Sequence, residues 1–175
     1  MKPRDAWQVV VHPLKRLNGG EVMARLKDIP QPTRDAVVAA PCPDFDTQPF
    51  VTGPPLAQRR VAIVSSAALI RRGDRPFPFG SAECRFLPAS MSAADILMSH
   101  VSVNFDRTGF QRDLNVVYPI DRLRELAAEG VIGGVAETHF TIMGSTDPVG
   151  MTATADQIAG QLRQERIDSV LLSPV

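Results

Sequence analysis

From residue 59 onward, short β-prone runs alternate with helix-patterned stretches, and that alternation leaves few architectures open. The run VAIV at 61–64 is uninterrupted and apolar, and Ser65, Ser66 and Ala67 then let the chain turn closely. LNVVY at 114–118 reads as a second strand. Pro119 suits a first helical turn, where its missing N–H costs nothing. Ile120, Leu123, Leu126 and Ala127 mark one helical face, and Gly130 is placed to end that helix. Residues 131–135 resume an extended path. Thr154 and Gln157 fit a capping box opening a last helix, with Ala155, Ile158, Ala159 and Leu162 as its buried stripe. VLL at 170–172 is short and apolar, as a covered parallel strand would be. The pattern predicts an α/β protein, a three-layer Rossmann-like or flavodoxin-like parallel sheet. Small residues directly after a buried strand belong to the carboxyl edge of such a sheet, where ligands bind. Ser65 and Ser66 are therefore candidate substrate-binding residues.

The first 58 residues are different. Most of the 15 prolines fall before residue 89, and residues 28–58 alternate proline with small and acidic residues, a composition that predicts neither a helix nor a central strand. Residues 20–27 could carry a short helix through Val22, Met23 and Leu26. The organisation expected is a proline-rich arm, 1–58, packing along an α/β domain, 59–175. Lys plus Arg and Asp plus Glu each number 19, a balance that gives no support to a nucleic-acid platform or a polybasic membrane surface. No apolar run approaches the roughly 20 residues that span a bilayer, and the first residues do not form a secretory signal. The expectation is a cytoplasmic protein with neither nucleic acid nor membrane as partner.

Chemistry-bearing residues are sparse. His100 precedes VSVNFD, near a strand edge with Asp106 six residues on. Such a pair serves either as a base with its orienting partner or as a structural hydrogen bond, and the structural role is the commoner. His12 lies in the proline-rich start, and His139 in AETHFTIMGSTDP, which reads as a loop. The histidine spacings match no metal site. Cys42 and Cys84 have no CxxC spacing and read as two unpaired thiols. Arg71, Arg72 and Arg75 fall in a Gly- and Pro-containing loop, where solvated charge is commoner than anion binding. No nucleotide-binding or nucleophile-elbow motif is present.

Three blocks carry a resemblance. RRVAIVSSAALIRRGDRPF, the long middle block from Ser99 to Gly144, and RIDSVLLSPV occur in an order and spacing similar to the glycine/sarcosine/betaine/D-proline reductase selenoprotein B family. Its most specific residues are Ser99-His100, Asp106, Asp113-x-Asn115, Pro119-x-Asp121-Arg122 and Met143-Gly144. The resemblance implies an oxidoreductase that reductively cleaves a small amine or amino-acid-like substrate, coupled to dithiol/disulfide chemistry. His100 and Asp106 would be the catalytic pair, and Asp113 and Asn115 would shape the same substrate-binding rim. It also implies a selenocysteine, or a cysteine in its place, directly after Val175, so that no redox cofactor lies within these residues and the sheet is incomplete at its carboxyl end. The partners implied are a small-molecule substrate, a thiol or dithiol donor, and further copies or other subunits. The alternative is a non-catalytic α/β binding or assembly subunit completed by a partner chain.

Overall fold

The structure, a computed structural model, describes residues 30–39, 50–102 and 107–175. The chain divides into two compact units, Met1–Phe45 and Asp46–Val175. In the first, α1 (Gln31–Val38) lies within the proline-rich stretch, which corrects the expectation that this stretch carries no helix. Pro30 and Pro32 fall at the helix start, where no intrahelical N–H is required. The Pro30 carbonyl accepts the N–H groups of Thr33 and Arg34 at 3.0 Å each, and the proline-free run to Ala40 suffices for a short helix. The helix expected over 20–27 lies outside the described residues.

The second unit is built on β1 (Arg60–Ser65), the central strand of a mixed sheet. Along one side runs β7 (Ser169–Ser173), parallel, from Val61 opposite Ser169 to Ser65 opposite Ser173. That occupies one full edge of β1. On the other edge β5 (Gly134–Val135) and β6 (Thr138–Ile142) therefore lie end to end, both parallel to β1. β3 (Cys84–Pro88) is antiparallel to β6, with Cys84 opposite Ile142. A separate antiparallel pair is formed by β2 (Leu69–Arg71) and β4 (Ile96–Met98). The helices are α2 (Thr108–Arg112), α3 (Ile120–Ala128) and α4 (Thr152–Gln164).

Alternation along β1 separates two cores. Val61 and Ile63 pack with Tyr118, Ile120 and Leu123, under α3. Ala62 packs with Phe140 and Ile158, and Val64 joins that cluster, under α4. One helix on each face of a sheet is the three-layer α/β arrangement expected, with mixed rather than wholly parallel strands. Burying a side chain such as Ile63 stabilises by ~1.5–3 kcal/mol relative to leaving it exposed.

Several local expectations are corrected. Residues 114–118 are not a strand: Leu114–Val116 is a 3-10 turn, started by the Asp113 carboxylate accepting the Asn115 N–H. Val117 and Tyr118 are still buried, so the apolar pattern was a packing signal without being a strand signal. HFTI in the expected loop is instead most of β6. The last helix opens earlier than the capping box implied, through a 3-10 turn at Pro148–Met151 whose Val149 N–H is accepted by Asp147. Thr154 lies inside α4, buried, its hydroxyl donating to the Ala82 carbonyl, while Ala155 faces solvent. The strand expected to be covered, β7, exposes Leu172 to 70% and Val170 and Leu171 to 39% each.

Candidate functional site

The carboxyl ends of β1, β6 and β7 converge, and small side chains make the convergence possible. Ser65 ends β1 fully buried, its hydroxyl donating to the Val117 carbonyl at 2.8 Å and accepting the Ala67 N–H at 3.3 Å. The Ser173 hydroxyl donates to the same Val117 carbonyl at 2.9 Å, so one acceptor ties the last residues of two neighbouring strands. Ser66 is the hub. Its N–H donates to the Ser173 carbonyl at 3.0 Å, its carbonyl accepts the Gly144 N–H at 3.0 Å, and its hydroxyl accepts the Val175 N–H at 2.7 Å. A Cβ on residue 144 would stand 2.8 Å from the Ser66 carbonyl oxygen, inside contact distance, so only glycine fits that approach. Ala68 then takes φ +52°, an uncommon conformation for a residue with a Cβ, as the chain leaves the edge.

His100 reaches the same edge. The Ser99 N–H donates to the Ala68 carbonyl at 2.9 Å, and the Ser99 hydroxyl accepts the Phe77 N–H at 2.8 Å. His100 is buried; its Nδ1 accepts the Ser102 N–H at 3.1 Å, and its carbonyl accepts from Arg107 at 2.9 Å. Burial, and secondarily the Arg107 charge, lower its pKa below the ordinary imidazole value, which favours a neutral ring. Asp106, its expected partner, lies outside the described residues, as do His12 and Cys42.

Asp113 and Asn115 sit just before Val117, but their hydrogen bonds run toward α3. The Asp113 carboxylate accepts from the Asn115 backbone and side-chain amides at 2.9 Å each. The Asn115 side chain in turn accepts the Asp121 N–H at 3.0 Å and donates to the Asp121 carboxylate at 3.1 Å. Hydrogen bonds from Asn115 hold both carboxyls below their usual range. The pair thus joins the 3-10 turn to the start of α3. Ser65, Ser66 and Val175 are brought together, His100 is joined through Ser99 and Ala68, and Asp113 and Asn115 form a neighbouring surface network.

Two further residues support this edge from below. His139, fully buried in β6, accepts the Ile63 N–H on Nδ1 at 2.9 Å, in the gap between β5 and β6. Desolvation lowers its pKa to about 4. Thr141, also fully buried, accepts the Leu69 N–H on its hydroxyl at 2.7 Å. The period-two alternation T-H-F-T-I was the available signal; its polar residues made it read as a loop. Cys84 is a free thiol at the start of β3, donating to the Gln157 side chain at 3.4 Å, with its pKa raised by burial. Among the described residues no group of three or more His, Cys, Asp or Glu could hold a metal ion.

A profile of the glycine/sarcosine/betaine reductase selenoprotein B family matches residues 34–175. Over 121 residues the sequence is 32% identical to the D-proline reductase subunit gamma of Acetoanaerobium sticklandii, covering 67% of this chain and 49% of that one. It is 28% identical over 141 residues to the glycine reductase complex component B subunit gamma of Symbiobacterium thermophilum, covering 76% of this chain and 32% of that one. It is also 28% identical over 167 residues to the betaine reductase complex component B subunit beta of Peptoclostridium acidaminophilum, covering 91% and 35%. The chain thus spans about a third to a half of the length of these relatives. No solved structure gives a significant match.

Proposed function

The chain belongs to the glycine/sarcosine/betaine reductase selenoprotein B family, and we propose on that footing that it acts within a reductase complex. In this reading a small amine or amino-acid-like substrate is cleaved reductively at the carboxyl edge of the sheet, in the cytoplasm, with a dithiol as electron donor. The redox residue, a selenocysteine or cysteine, stands directly after Val175, as the family resemblance implies. The bond breaks by attack of the selenolate or thiolate on substrate, and a second thiol resolves the adduct, so that one substrate bond is reduced while one dithiol becomes a disulfide. His100 handles the proton with Asp106, and Asp113 and Asn115 border the substrate.

The observation that carries this reading is the Ser66 hub. Its hydroxyl accepts the Val175 N–H at 2.7 Å while its backbone holds β7 and Gly144, so the chain leaving β7 is directed from a fixed point at the carboxyl edge of β1. Loops at this edge of an α/β sheet are where reactive groups are presented. No helix among the described residues is long and apolar enough to cross a membrane.

The test compares the chain extended by a cysteine directly after Val175, and by the family's further segment, with the same protein carrying serine there. Dithiol-dependent turnover of a panel of small amines and amino acids is expected for the cysteine form alone. Equal rates, or none for either with a folded protein, would favour the alternative: a non-catalytic assembly subunit, for which the exposed strand β7 is the supporting feature.

A further inference from the structure

A groove of about 470 Å³ lies at the Arg71–Ile96 end of the β2–β4 pair, within the roughly 300–1,000 Å³ typical of small-molecule sites. Pro88, which lines it, stands opposite Thr138 at the start of β6, so the groove is at the other end of β6 from the Ser66 hub. Two of the arginines that read as loop residues line it as well. Arg71 closes β2, and Arg72 follows directly, its N–H donating to the Asp95 carbonyl at 2.6 Å and its Nη2 to the Ala94 carbonyl at 2.8 Å. Arg75, the third, is paired with Glu83 at 2.7 Å instead.

The charges in this groove are unmatched. Arg71, Arg72 and Asp95 all line it and are exposed, yet among the described residues none of the three side chains forms an ion pair. Arg72 commits only Nη2, to Ala94, and the Arg71 guanidinium makes no hydrogen bond to a described residue. The Ser92 hydroxyl accepts the Ala94 N–H at 3.3 Å and keeps its own proton to donate, and Ser90 lines the same wall. That wall is fixed by its backbone, the Met91 N–H donating to the Pro88 carbonyl at 2.9 Å and the Ala89 N–H to the Glu137 carbonyl at 2.8 Å. Guanidinium forks and hydroxyl donors together match the several terminal oxygens of a phosphate monoester. The Asp95 carboxylate can only accept, which suits it to hydroxyl groups carried by the same ligand.

We infer that this groove binds a phosphorylated polyol, its phosphoryl group on Arg71 and Arg72 with Ser90 and Ser92 donating to it, and its hydroxyl groups on Asp95. The inference concerns binding at a place apart from the carboxyl edge and does not rest on the reductase reading.

Glycerophosphate titrated into the 175-residue chain, followed by amide NMR shifts and calorimetry, tests it, with inorganic phosphate as the anion without a polyol and glycerol as the polyol without charge. Saturable shifts over residues 90–95 are expected for glycerophosphate, weaker binding for inorganic phosphate and none for glycerol. Arg71→Ala should weaken glycerophosphate about tenfold, and Arg71→Lys should fall between that variant and the parent. Asp95→Ala removes both the acceptor for the polyol and a charge that repels phosphate, so it should bring glycerophosphate and inorganic phosphate to equal affinity. Both substitutions are at exposed side chains, so the core is untouched. No saturable binding, or shifts centred on Ser66 and Gly144 instead, would overturn the inference. So would parent-like affinity in Arg71→Ala, or a parent that binds inorganic phosphate as tightly as glycerophosphate.

Discussion

Buried polar side chains at the sheet edge take the places of missing backbone partners. Between β5 and β6 the ladder to β1 is broken, and the His139 ring accepts the Ile63 N–H that a carbonyl would otherwise take. An unmade bond there would cost about 1–3 kcal/mol. The arrangement requires a neutral ring. Burial, and then the Arg124 charge, hold the His139 pKa at about 4 against an ordinary 6.5, with Glu165 opposing. The unfolded chain binds the proton more readily, so the stabilising contribution is complete above pH 6.5 and is lost as pH falls toward 4. That difference is worth about 3 kcal/mol. Chemical unfolding followed from pH 7 to pH 4 should therefore show falling stability. His139→Asn, whose Oδ1 can stand where Nδ1 does, should flatten the slope while losing some stability at pH 7 from the smaller side chain. An unchanged slope would show that another group titrates.

At the scale of elements, β1 and β7 are neighbours with opposite surroundings. β1 is covered by α3 on one face and α4 on the other, and Ile63 is fully buried. β7 shares its full length with β1, yet Leu172 is largely exposed. Ile63→Ala should therefore cost about 2–5 kcal/mol, through lost burial and the cavity left behind. Leu172→Thr should stay within about 0.5 kcal/mol. Urea midpoints of the two variants give the comparison, and similar losses would mean that β7 is packed as tightly as β1. The backbone contribution of β7 is retained in either variant, because its hydrogen bonds to β1 do not depend on the side chain.

For the molecule as a whole, the outer edge of β7 is where association should begin. No strand among the described residues pairs with that edge, and three consecutive apolar side chains stand beside it. An open apolar strand edge is a template for pairing with another chain. The 175-residue chain should accordingly show concentration-dependent association in sedimentation velocity, and Leu172→Lys should reduce it by placing a charge at the most exposed position. Parent and variant that sediment identically as monomers at every concentration would exclude β7 as the contact.

What was legible in the residues alone is whatever depends on local pattern. The apolar run at 61–64 is a strand because β-branched and apolar residues fill both faces of a covered sheet. Ile120 and Leu123 mark the buried face of α3, and Gly130, at φ +72°, ends that helix as a residue without a Cβ can. Ser65 and Ser66 were recognisable as an edge because small residues follow a buried strand there. Other features depended on partners distant in the chain. Residues 138–142 form a strand because β1 and β3, fifty or more positions earlier, pair with its two edges, and the buried His139 and Thr141 side chains are kept there by the Ile63 and Leu69 N–H groups they accept. Val117 and Tyr118 are apolar for burial, but Asp113 and Asn115 set a 3-10 turn over Leu114–Val116 just before them. The meeting of Ser66, Gly144 and Val175 was decided by tertiary structure, since only the packing of β1 between β6 and β7 brings those backbones within hydrogen-bonding distance.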